Sequence, residues 1–129
     1  MQEPHLFEYA VIRIIPHVER EEFLNAGVIL YCASENFLQC ITEVNEDRLK
    51  VLCDSLDFAE LRDHIQSFER ICTGGKDSGP IGKLSRAERF RWLTATRSTV
   101  VQTSKVHPGL CTDAAEMLSR LYKQLVQKI

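Results

Sequence analysis

The chain has 129 residues, 44% of them hydrophobic and 26% charged, with a formal net charge of -2. These values fit an ordinary folded domain and argue against disorder over most of the chain and against a generic polybasic coat for nucleic acid, while leaving room for a local basic patch. One domain is the expectation for this length, burying roughly two thirds of the surface its unfolded chain exposes, so a core can form without staples.

No apolar run approaches the ~18 residues of a membrane span. The start, Met1 to His5, has neither a basic nor an apolar leader character. Five cysteines, Cys32, Cys40, Cys53, Cys72 and Cys111, are odd in number and widely spaced. They read as reduced, mostly buried thiols, and the expected location is cytoplasmic.

Phe7 to Pro16 is dense in β-branched and aromatic residues and reads as a strand. Phe7, Tyr9, Val11, Arg13 and Ile15 share one face; Ala10, Ile12 and Ile14 share the other. Both faces are apolar, which marks a central strand, and Pro16 ends it. His17 to Leu24 is polar and acidic and fits a helical turn or loop. Asn25 to Cys32 reads as a second strand, with Gly27 marking a bulge or a close backbone approach. Ala33 to Asn36 is hairpin chemistry, and Phe37 to Val44 a third, antiparallel strand.

From Asn45 the hydrophobic period changes to that of a helix. Asn45 to Cys53 is a short helix. Asp57 and Glu60 then form a capping box ahead of the stripe Phe58, Leu61, Ile65, Phe68 and Cys72, which Gly74 and Gly75 end. After a glycine-bearing loop, Ser85 and Glu88 cap a helix running through Leu93. Thr99 to Thr103 reads as a fourth strand beside the first, and His107-Pro108-Gly109 as a turn. Thr112 or Asp113 caps a last helix, with Ala114, Leu118, Leu121 and Leu125 inward and Met117, Tyr122 and Ile129 flanking. The expected fold is α+β, an antiparallel sheet of about four strands with helices packed mainly on one face.

The glycine loop from Gly74 to Lys83 lacks the Walker spacing, because Leu84 follows Gly82-Lys83 and the loop follows a helix. It reads as a connector, or as a flap presenting Lys83. Arg13 is the odd residue in an apolar strand and needs a partner. The bland reading pairs it with Glu22 or Glu8. The functional one sets its guanidinium at the sheet end to bind a carboxylate or phosphate, with Glu22 and Asn25 nearby.

Arg89, Arg97, Ser98 and His107 form a second constellation. Arg86 and Arg89 share a helical face with Trp92, which would suit a nucleotide or a single-stranded nucleic acid. The bland reading has Phe90, Trp92 and Leu93 anchoring the helix among solvated arginines. Ser98, His107 and Glu22 form a serine triad only on paper, and His107 with Cys111 falls short of a closed metal set. No metal and no cofactor are expected.

Several stretches in order resemble one bacterial family: Tyr9 to Arg13, Arg20 to Val28, Gly79 to Gly82, Arg89 to Trp92, Arg97 to Val100 and His107 to Gly109. That family is domain of unknown function 3037, and the resemblance covers nearly the whole chain. Thr96 stands where proline would be expected. The resemblance marks Arg13, Glu22, Asn25, Arg89, Arg97, Ser98 and His107 as motif positions. It also implies a neighbouring kinase-like protein of the HipA type, and so a two-component unit.

Two functions are expected. The first is a small protein-binding or regulatory module, with a kinase-like partner or a second copy of itself as a homodimer. The alternative is an enzyme or nucleic-acid-processing factor whose phosphate site uses Arg13, Arg89 and Arg97. A module should expose an apolar patch; an enzyme should gather Arg, Glu and His in one pocket.

Overall fold

A computed structural model describes residues 3–97 and 99–127. Strands β1 (His5–Ile14), β2 (Leu24–Cys32) and β3 (Phe37–Thr42) precede helices α1 (Glu46–Leu52), α2 (Phe58–Thr73) and α3 (Arg86–Leu93). Then come β4 (Val101–Thr103), β5 (His107–Cys111) and α4 (Ala114–Tyr122), which runs into a π-helical tail, Lys123–Gln127. The fold is α+β with a five-stranded antiparallel sheet.

β1 is central, as its two apolar faces require. β2 pairs along one of its sides, and β3 pairs with β2 as an outer strand. The other side of β1 is shared end to end. β4 takes Ile12 to Ile14 and β5 takes His5 to Tyr9. His107-Pro108-Gly109 is therefore not a turn but the start of a strand, and the sheet has five strands where about four were expected. Pro108 is tolerated there because β5 is an outer strand, where the missing N–H disrupts no central ladder.

Between β4 and β5 the ladder is carried by Ser104. Its N–H donates to the Val11 carbonyl at 2.8 Å, and its Oγ accepts from the Val11 N–H at 2.9 Å. That hydroxyl in turn donates to the Lys105 carbonyl at 2.9 Å. A side chain thus stands in for a strand residue, and both ladders continue through the irregularity.

The two sheet faces bury separate cores. Ala10, Ile12, Ile14 and Ile29 pack under α1, α2 and α3 with Leu49, Leu61, Ile65, Phe68 and Phe90. Phe7, Val28, Leu30 and Cys32 pack under α4 with Ala114, Leu118, Tyr122 and Val126. The helices thus lie mainly on one face, with α4 alone on the other. The inward stripe of α4 is Ala114, Leu118, Tyr122 and Val126, whereas Leu121 and Leu125 are partly buried at its flank. The i, i+4 spacing from Ala114 to Tyr122 is set within α4 itself, and only Val126 stands in the π-helical tail. Ile129 lies outside the described residues.

The local signals behave as their chemistry requires. Asn45, Asp57, Ser85 and Asp113 each accept a hydrogen bond from the N–H three residues on, capping the four helices. Gly27 sits beside a register shift between Ile12 and Arg13, and a Cβ on it would lie 2.5 Å from the Ile41 carbonyl oxygen. Both the bulge and the close approach read from that glycine are present. In the described residues no helix is long and apolar enough to cross a membrane.

Candidate functional site

Arg89 is buried in the three-helix layer. Its Nε donates to the Leu84 carbonyl at 3.1 Å, and its Nη1 donates to those of Ile71 at 3.1 Å and Cys72 at 2.7 Å. These last two carbonyls belong to the end of α2, where helix carbonyls have no partner of their own and carry partial negative charge. Gly74 makes the arrangement possible. It has φ +78°, and a Cβ there would lie 2.6 Å from Arg89 Nη1.

Arg97 closes α3 in the same manner. Its Nη1 donates to the Leu93 carbonyl at 3.2 Å, its Nη2 donates to that of Trp92, and its guanidinium lies 4.2 Å above the Trp92 ring. Burial pulls its pKa below the ordinary arginine value. Trp92 therefore stacks on an arginine of its own chain.

Arg13 lies on the other face of the sheet, which α4 covers in part. Neither expected acid reaches it. Glu22 is held by Arg20 at 2.6 Å, and Glu8 takes a two-pronged bond from Arg91 at 2.8 and 2.9 Å. The Glu8 hydrogen bonds also raise the pKa of Arg91.

Arg13 instead rests 4.2 Å over the Phe23 ring, and its buried Nε has no hydrogen-bond partner among the described residues. Asn25 is its cross-strand neighbour. The Asn25 amide Nδ2 donates to the Leu125 carbonyl at 3.0 Å, and its Oδ1 is buried without a partner. Arg13 and Asn25 are thus brought together, as the sequence implied, while Glu22 is drawn away.

His107 pairs with Tyr9 across β1 and β5, their rings 5.3 Å apart. Ser98 lies outside the described residues. The guanidinium groups of Arg13, Arg89 and Arg97 are not brought together: the first is on the α4 side, and the other two close helices on the opposite side.

Two thiols are held in the neutral form. A hydrogen bond to Cys72, reinforced by burial, pushes the Cys40 thiol pKa well up, and burial raises that of Cys111. All five cysteines are free, and Cys32, Cys72 and Cys111 are buried. Among the described residues no group of three or more His, Cys, Asp or Glu is placed to hold a metal ion.

What sequence reasoning missed is an apolar corner. Leu6 of β1 and Leu110 of β5 are direct cross-strand partners, 63% and 64% exposed. They lie on the face that carries α1 to α3, but at the end of β1 beyond those helices. Exposed Pro108 lies opposite Glu8, next to the Glu8–Arg91 pair. The available signal was the alternation of β1, which puts Leu6 in line with Ala10, Ile12 and Ile14. Reading His107 to Gly109 as a turn hid the strand that supplies Leu110.

No curated protein and no solved structure matches the chain. A family model described as a protein of unknown function, DUF3037, matches residues 9–126. That span takes in β1 from Tyr9 onward, all of the other strands and helices, and every motif position named above, so the chain belongs to this family.

Proposed function

We propose that this protein is a small protein-binding module that works in the bacterial cytoplasm. The observation that carries the reading is the Leu6–Leu110 pair, two large apolar side chains side by side on a sheet surface that no helix among the described residues covers. Covering such a pair removes apolar surface from water at roughly 25 cal/mol per Å². The neighbouring Glu8–Arg91 pair supplies a polar rim with a defined orientation, as interfaces commonly have. Five unlinked thiols fit a reducing compartment.

The partner implied by the family resemblance is a kinase-like protein of the HipA type; a second copy of this chain is the other occupant to test. The alternative reading, an enzyme or nucleic-acid-processing factor with a phosphate site, draws little support from Arg89 and Arg97, most of whose donors already serve backbone carbonyls. It rests on Arg13 alone.

The test is co-expression of the chain with a neighbouring HipA-like protein, followed by gel filtration with light scattering. A mixed complex, or a dimer of this chain, is expected. Changing both Leu6→Lys and Leu110→Lys should abolish it while leaving circular dichroism intact. A wild-type chain that stays monomeric and alone, or a double variant that associates as well as wild type, would refute the reading.

A further inference from the structure

The rim of the sheet opposite that corner carries a second surface. β3 ends the strand order and pairs with β2 alone. A cleft of about 380 Å³ follows it, touching every residue from Asn36 to Cys40. Neighbouring side chains of a strand point to opposite faces, so a hollow over one face would meet alternate residues. Contact with five in succession, four of them in β3, places this cleft along the backbone rim, where β3 presents N–H and C=O groups that no strand among the described residues takes up.

The far wall of the cleft is helical: Glu69 and Thr73 from α2, Arg86 and Arg89 from α3. A second hollow of about 520 Å³ shares Glu69 and Thr73 and continues along α2 past Arg70 and Asp77. The two together form a trough between a strand edge and a helix.

Hydrogen bonds hold the trough in shape. Arg89 is anchored through Nε and Nη1, which leaves Nη2 without a protein partner among the described residues. Glu69 is held by the Thr42 hydroxyl, which donates to its Oε1 at 2.9 Å. Arg70, Arg86 and Arg89 outnumber Glu69 and Asp77, so the trough is locally positive in a chain whose formal net charge is -2.

We propose that this trough binds an extended peptide segment of a partner protein, which adds as a strand to β3 and places a carboxylate against Arg86 and Arg89. Strand addition beside a helix draws affinity from main-chain hydrogen bonds and specificity from the flanking side chains. A guanidinium pair suits a carboxylate because its donors can grip both oxygens. The carboxylate can come from an acidic side chain or from a chain terminus. This surface is separate from the Leu6–Leu110 corner, so either can fail without the other.

The probe is a randomised set of synthetic peptides of about six residues, the usual length of a strand. Each ends in Asp, Glu or Lys and is made with both a free and an amidated C-terminus. They are titrated into the isotope-labelled full chain and followed by amide chemical shifts and hydrogen exchange. Carboxylate-bearing peptides should shift residues 36–40 and slow exchange along β3.

Arg86 is exposed, so Arg86→Glu should leave the melting temperature unchanged while weakening those peptides about tenfold. Binding lost on amidation assigns the carboxylate to the terminus, and binding kept by amidated Asp or Glu peptides assigns it to the side chain. The paired lysine variant at Leu6 and Leu110 should bind the peptides as wild type does. A set in which nothing binds, shifts confined to other residues, or an Arg86→Glu variant of unchanged affinity would overturn the proposal.

Discussion

The junction of α2 with α3 and the bulge between β1 and β2 each set an arginine in apolar surroundings, and the two regions treat it in opposite ways. At the junction, Arg89 is 8% exposed and meets three carbonyls, two of them at the end of α2. At the bulge, Arg13 has only the face of Phe23, and its buried Nε is unmatched among the described residues. A cation leaves water cheaply only where fixed dipoles already point at it. The junction provides such dipoles because a helix ends there; the bulge does not. Arg89 is therefore fixed in place through Nε and Nη1, with Nη2 alone left over, while the buried Nε of Arg13 is fixed by no carbonyl among the described residues.

Substitutions can break that contrast. Arg89→Met should cost about 3 kcal/mol in urea unfolding, because it strands carbonyls at the α2 terminus. A loss under about 1 kcal/mol would mean that water serves them equally well. Gly74→Ala tests the same junction from the other side. Its positive φ and the proximity of Arg89 Nη1 should make it cost about 2 kcal/mol, and a neutral result would deny that the guanidinium fixes the turn.

Ser104→Ala should cost about 1.5 kcal/mol, since it leaves the buried Val11 N–H unpaired, with faster exchange of that amide as the direct readout. Arg13→Met should change stability by less than about 0.5 kcal/mol in either direction, because the arginine it replaces has no acid to lose. A drop as large as that of Arg89→Met would place Arg13 in the same class and erase the distinction.

A further buried polar group sharpens the comparison through pH. The Tyr122 hydroxyl donates to Glu43 Oε2 at 2.9 Å, and burial followed by that bond pushes its pKa up to about 12. The unfolded phenol releases its proton near its ordinary value of about 10. Stability from Tyr122 is thus complete below about pH 10 and is lost as pH rises toward about 12. Alkaline unfolding of wild type should show this decline, and Tyr122→Phe should lack that share of it. Identical slopes in the two proteins would remove Tyr122 as the cause.

Much of the fold was legible because its signals are short-range. Asp57 lies three residues before the N–H it caps, and the stripe from Leu61 to Cys72 repeats within one helix. The centrality of β1 followed from its own two faces. The candidate site was legible only in part, because residue type does not reveal a partner. Arg89 and Arg97 stood out as basic motif positions, yet each bonds carbonyls that no side-chain pattern announces. Arg13 and Asn25 were linked correctly because both flank the same hairpin, whereas Glu22 turned to Arg20, the nearer cation.

The amino-acid order by itself determined most of the elements, the helix caps and the two apolar faces of β1, since each depends on neighbours along the chain. Tertiary structure decided what those elements meet. It made a strand of His107 to Cys111, because half of one side of β1 was left to be paired. It left Leu6 and Leu110 uncovered together, and β3 open along its outer rim. Such outcomes depend on which remote backbone arrives at a free edge, and chain closure over those distances leaves no mark in local composition.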